Sequence, residues 1–226
     1  SKPKIYNFSG FNFTKKKRKV VIPFQFINNL IIIPLKINNS DTLRFILDTG
    51  VKTALVTELN FSDSLNLKIG GKRTIRGLGE GENLEAYHSY GNNFRLPDIL
   101  GQNQDLFVLT EDVFFLSSKL GTKVNGLIGF DIFKNFPVEI DYVSRRLTIY
   151  NPLWRKKKVF KGRSLPMTVE GGKPYIMAEV RLRGGKTIPV KLVIDTGASH
   201  SVSLETKPEI GIILPEKNIS AYLGRG

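Results

Sequence analysis

Two stretches of this chain, Val20 to Gly50 and Ser164 to Gly197, follow one plan, and an internal repeat of strand-rich sequence commits a chain to building the same unit twice. Each stretch opens with an aliphatic-proline pair, Ile22-Pro23 and Leu165-Pro166, and passes through a tight turn into a long strand, Leu30 to Ile37 and Pro174 to Leu182. A second turn then leads to an apolar strand that ends in Asp-Thr-Gly. The two endings are Phe45-Ile46-Leu47-Asp48-Thr49-Gly50 and Leu192-Val193-Ile194-Asp195-Thr196-Gly197. In the second copy Ile176, Ala178, Val180 and Leu182 alternate with polar or larger residues, the pattern of a half-buried antiparallel strand.

Strand signals dominate the remainder and place the chain in the all-β class. Short β-branched or aromatic runs predict strands over Val20–Phe26, Leu30–Ile37, Leu43–Leu47, Leu106–Leu109, Val138–Tyr142 and Leu147–Tyr150. Asn28-Asn29, Asn38-Asn39-Ser40-Asp41, Gly70-Gly71, Gly171-Gly172 and Gly184-Gly185 supply residues that tolerate the positive φ of tight hairpins. One short helix is expected, Asp131 to Phe136, ended by Pro137. Three segments follow: a basic arm over 1–19, a first lobe over 20–155, and the front part of a second lobe over 156–226.

The 226 residues contain no cysteine, which removes disulfides, thiolate metal sites and thiol nucleophiles together. Two histidines without cysteine make a metal centre an unfavoured expectation, so metal and cofactors are both read as none. Catalysis, if present, has to come from oxygen or nitrogen. No apolar run approaches the roughly 20 residues of a membrane-spanning helix, and no secretory h-region appears in the first ten residues.

A single Asp-Thr-Gly is ordinary turn chemistry, but two at the same place in a repeated plan pair two carboxyls. Two carboxyls about 3 Å apart cannot both ionise, so they share a proton, and one acts as acid while the other acts as base. Asp48 and Asp195 are therefore the candidate catalytic pair. Gly50 and Gly197 allow the sharp turn that brings N–H groups toward the carboxylates.

These residues resemble the aspartic peptidases, in particular the retropepsin-like domains, in a tandem single-chain form similar to bacterial examples. The resemblance implies two closed, barrel-like β lobes with the second incomplete in this chain, and hydrolysis of peptide bonds in the cleft between them. It implies that Thr49 and Thr196 cross-bond the lobes beneath the pair. It also identifies Leu127-Ile128-Gly129 as the loop behind the aspartate, and Thr74–Ser89 as a flap with Gly77, Leu78, Gly79 and Gly81 at its substrate-facing tip. An extended peptide or protein is the implied partner. A monomeric pseudo-dimer is expected, a homodimer remains open, and export to a periplasm or cell envelope follows from the same resemblance. After Asp195 only 31 residues remain, so about 71 residues of a faithful second lobe are missing and the sequence reads as a fragment, with Ala221–Gly226 at the start of a second flap. Relatives of this layout often continue into a PDZ domain.

Two features set limits. The first triplet is followed by Val51-Lys52-Thr53 rather than the small residues Ala198-Ser199 seen after the second, so a non-cleaving peptide-binding module is the alternative reading. Basic runs at Lys15–Lys19 and at Arg155–Lys158 continuing to Lys161 carry part of the net charge of +14. They are expected to be solvated segments rather than a nucleic-acid or lipid site, since charge runs usually are and no aromatic interleaving supports base stacking. His200 is expected to be an exposed or hydrogen-bonded histidine.

Overall fold

The computed structural model describes residues 10–59, 65–75, 83–154, 162–182, 184–214 and 216–219. In chain order its strands are β1 (Gly10–Phe13), β2 (Lys19–Pro23), β3 (Gln25–Ile27), β4 (Leu30–Ile37), β5 (Leu43–Leu47), β6 (Ala54–Val56), β7 (Ile69–Ile75), β8 (Leu84–Leu96) and β9 (Ile99–Leu109). Helix α1 (Leu116–Leu120), β10 (Gly126–Ile128), helix α2 (Phe130–Phe133), β11 (Val138–Asp141) and β12 (Arg146–Tyr150) follow. The last three strands are β13 (Met167–Glu170), β14 (Lys173–Arg181) and β15 (Thr187–Val193).

Six strands close into a barrel in the order β4-β5-β10-β6-β9-β8, with β8 returning to β4. Strands β1, β3 and β7 add to β9, β4 and β8 at its margins. A three-stranded sheet, β11-β12-β2, packs Val20, Ile22, Leu147 and Ile149 into the same core. Alternation explains why β4 reads as a continuous apolar run. Ile31, Ile33, Leu35 and Ile37 enter the main core, while Leu30 and Ile32 join Ile46 and Val124 on the opposite face. Strand β5, which delivers Asp48, is likewise buried on both faces, and a strand held on two sides fixes the position of its end. Pro34 falls between the last β3 pair at Ile32 and the first β8 pair at Lys36, an unpaired edge that a proline tolerates.

The predicted strand over Val20–Phe26 is two strands. It breaks at Phe24, whose N–H bonds the Arg145 carbonyl, so β2 pairs with β12 while β3 turns away to pair with β4. The local pattern is continuous, and only the partners on either side reveal the change of sheet. Leu106–Leu109 is the end of a longer β9, and β1, β6, β7, β8 and α1 carry weak periodicity that the sequence reading did not resolve. The short helix begins one residue earlier than expected. It continues as turns through Phe136, whose N–H reaches the Ile132 carbonyl.

The C-terminal sheet β13-β14-β15 follows the same geometry as β3-β4-β5. Each hairpin has a two-residue turn, Asn28-Asn29 or Gly171-Gly172. In each, the third residue past that turn pairs with the residue two before the aspartate: Ile32 with Ile46, and Tyr175 with Val193. Burial differs sharply. Ile188 is buried, whereas Met167, Val169, Met177 and Val193 are exposed.

Candidate active site

The candidate site forms where the Asp48-Thr49-Gly50 turn at the end of β5 meets the Asp195-Thr196-Gly197 turn after β15. Local chemistry is the same in both turns. The Gly50 N–H donates to Asp48 Oδ1 at 2.7 Å, and the Gly197 N–H donates to Asp195 Oδ1 at 2.8 Å. Each carboxylate is thereby aimed by its own backbone, two residues on.

The two turns are joined by four hydrogen bonds. Thr49 N–H donates to Thr196 Oγ1 (3.1 Å) and Thr196 N–H to Thr49 Oγ1 (3.0 Å). Each hydroxyl then donates onward, Thr49 Oγ1 to the Ile194 carbonyl (2.5 Å) and Thr196 Oγ1 to the Leu47 carbonyl (2.7 Å). Only a hydroxyl accepts and donates in this way from one atom, which explains threonine at both positions. Asn29 adds a further tie, its side-chain amide donating to the Ser199 carbonyl at 2.8 Å.

Above this ring the carboxyls of Asp48 and Asp195 meet over Gly50, close enough for Asp195 to act on the Asp48 proton. A Cβ built on Gly50 would stand 3.1 Å from Asp48 Oδ1 and 3.7 Å from Asp195 Oδ1, and one built on Gly197 would overlap the Asp48 carboxyl at 2.3 Å. Glycine is required at 197 by this close approach, whereas at 50 the Asp48 oxygen would have to give by a few tenths of an ångström. Asp48 is buried, at 4% exposure, whereas Asp195 is exposed. Burial and the neighbouring Asp195 carboxyl push the Asp48 carboxyl from 3.8 up to about 7, against the lowering effects of the Gly50 N–H and the Lys173 ammonium.

Leu127-Ile128-Gly129 lies behind the first turn. Strand β10 runs parallel to β5 with Ile128 beside Leu47, and the Asp48 N–H donates to the Ile128 carbonyl at 2.8 Å. Gly129 touches the turn so closely that a Cβ would fall 1.6 Å from the Asp48 carbonyl oxygen. The expected flap region forms the β7–β8 hairpin, while Gly77, Leu78, Gly79 and Gly81 lie outside the described residues, as do Ala221–Gly226. Lys52 is exposed, and the cation that acts on Asp48 is instead Lys173. Sequence pattern does not single out Lys173. It follows the Gly171-Gly172 turn directly, and the Ile194 N–H donates to the carbonyl of the next residue, Pro174, at 2.9 Å, which holds this end of β14 beside the Asp195 turn. His200 is exposed, and His88 meets Asp105 at 3.1 Å on the barrel.

Among the described residues no three His, Cys, Asp or Glu side chains converge as a metal site, and no helix is long and apolar enough to cross a membrane. A cavity of about 390 Å³, lined by residues that include Phe24, Ile32, Pro34 and Arg44, contains neither aspartate.

Residues 33–132 match the family model described as aspartyl protease. The matched span runs from β4 through the Asp48 turn and β10 to α2, and supports an aspartic peptidase family for this part of the chain. Asp195 lies beyond it. No curated protein matches the chain.

Proposed function

We propose that the chain is a retropepsin-like aspartic endopeptidase in which Asp48 and Asp195 activate one water between a first lobe over 20–155 and a second over 156–226. The observation that carries this reading is the meeting of the two carboxyls beside Gly50, Asp48 buried and holding its proton toward neutrality, Asp195 open to solvent. A pair in unequal surroundings has its acid and base roles divided by those surroundings.

Asp195, as carboxylate, takes a proton from water while the water oxygen bonds the scissile carbonyl carbon. Asp48, as acid, gives its proton to the carbonyl oxygen, so the tetrahedral intermediate is a neutral diol held by both groups. Collapse of that diol breaks the C–N bond. The proton on Asp195 passes to the leaving nitrogen, and Asp48 recovers one from a diol hydroxyl, leaving the pair as it began. The substrate is an extended peptide, paired through its backbone with the β7–β8 hairpin.

The alternative, a module that binds peptides without cleaving them, draws on the exposure of Asp195 and on Val51-Lys52-Thr53 after the first triplet. Incubation with a mixed peptide library, read by mass spectrometry, decides between them. New termini that vanish in both Asp48→Asn and Asp195→Asn establish the peptidase. Peptide retention without new termini in the unmodified chain establishes the binding module instead.

A further inference from the structure

The first basic run, Lys15–Lys19, and the turn Pro152–Trp154, more than a hundred residues apart in sequence, approach one another on the barrel surface. Strand β2 pairs with β12 so that Lys19 stands beside Tyr150, and the chain leaving β12 turns back against the arm that leads into β2. Asn151 makes the join. Its N–H donates to the Arg18 carbonyl at 2.9 Å and its side-chain amide to the Lys17 carbonyl at 3.1 Å. The Asn151 side-chain oxygen and carbonyl accept the N–H groups of Leu153 and Trp154, fixing a 3-10 turn over Pro152–Trp154.

That turn presents two apolar side chains among cations. Leu153 is 90% exposed and Trp154, the sole tryptophan of the chain, is 45% exposed. The Arg18 guanidinium lies 6.0 Å from the Trp154 ring centroid, and the Lys19 ammonium 5.9 Å from that of Tyr150. Two acidic groups are nearby. Asp98 is occupied by Lys15 at 3.0 Å and Lys17 at 2.5 Å, and Glu139 accepts the Tyr150 hydroxyl. Lys16, Arg18 and Lys19 have no acidic partner among the described residues, and the sequence passes from Trp154 directly into Arg155-Lys156-Lys157-Lys158.

We propose that Lys16, Arg18 and Lys19, together with Leu153 and Trp154, form a docking surface for an anionic phospholipid membrane, with the cations on the headgroups and the two apolar side chains at the acyl boundary. Charge complementarity selects the occupant. Exposed Leu and Trp on a rigid turn ringed by Lys and Arg match the interface of a bilayer, where tryptophan is enriched and each basic residue adds attraction to anionic lipid. A nucleic-acid strand calls for aromatic faces that stack successive bases, and here the aromatic faces are met by the protein's own cations. The surface is separate from the aspartate pair and stands or falls independently of it.

The single tryptophan provides the readout. With vesicles of phosphatidylcholine containing roughly one third phosphatidylglycerol, the chain should sediment and Trp154 emission should move to the blue, both reversed by high salt. Neutral phosphatidylcholine vesicles should do neither. Lys16→Glu with Arg18→Glu should weaken partition roughly tenfold or more, and Leu153→Ser should weaken it with the cations intact, while the thermal transition stays in place. Equal partition to neutral vesicles, or no blue shift with anionic ones, overturns the proposal. Salt-sensitive binding to a single-stranded oligonucleotide without vesicle binding overturns it in favour of nucleic acid.

Discussion

Thr49 and Thr196 hold one another through their backbones, each N–H donating to the other's hydroxyl at 3.1 and 3.0 Å, so the turns that carry Asp48 and Asp195 are fastened one residue from the carboxyls. The barrel and the C-terminal sheet are thus tied at the place where the candidate chemistry needs them aligned.

Thr196→Val keeps the shape and removes the hydroxyl, leaving the Thr49 N–H and the Leu47 carbonyl without their bonds. Loss of stability by roughly 1–3 kcal/mol is expected in denaturant unfolding, while Thr196→Ser keeps most of it. Equal stability of the Val and Ser variants would show that the ring does not bear on the fold.

Asp48 links stability to pH. Its folded carboxyl is raised from 3.8 to about 7, so the protonated form is the one the fold prefers. The contribution is fully present below pH about 4 and lost as pH rises through about 7. Asp48→Asn retains the acceptor for the Gly50 N–H and cannot ionise. It should be more stable than the unmodified chain at pH 8 by roughly 2 kcal/mol, with little difference at pH 4, in thermal unfolding across that range.

Lys173, directly after the Gly171-Gly172 turn, lowers the Asp48 carboxyl. Lys173→Met removes that charge, so Asp48 should keep its proton to higher pH. The alkaline limb of kcat/KM is expected to move upward by about half a unit to one unit, with the chain still folded. Lys52→Met, at an exposed position, should leave the limb unmoved.

Two glycines separate chemistry from folding. A Cβ at Gly197 meets the Asp48 side chain, whereas one at Gly129 meets the Asp48 backbone. Gly197→Ala should abolish turnover with a folded barrel. Gly129→Ala should lower stability by roughly 3 kcal/mol or more, because the backbone it strikes cannot move aside. Circular dichroism melts run beside an activity assay read both effects.

The sequence by itself determined the all-β class, the bounds of β4 and β5 and the two Asp-Thr-Gly triplets, because each depends on short-range pattern: apolar alternation, turn residues, and a motif repeated at one place in a plan. Tertiary structure alone decided which sheet each half of Val20–Phe26 joins, and that Asp48 is buried while Asp195 is exposed. It also brought Lys173 rather than Lys52 to bear on the pair, and Arg18 beside Trp154. The physical reason is the same in each case. Burial, long-range pairing and electrostatic neighbours are properties of residues distant in sequence, and of two identical triplets one sits at the end of a strand covered on both faces, where burial raises the Asp48 carboxyl, and the other on a sheet open to water.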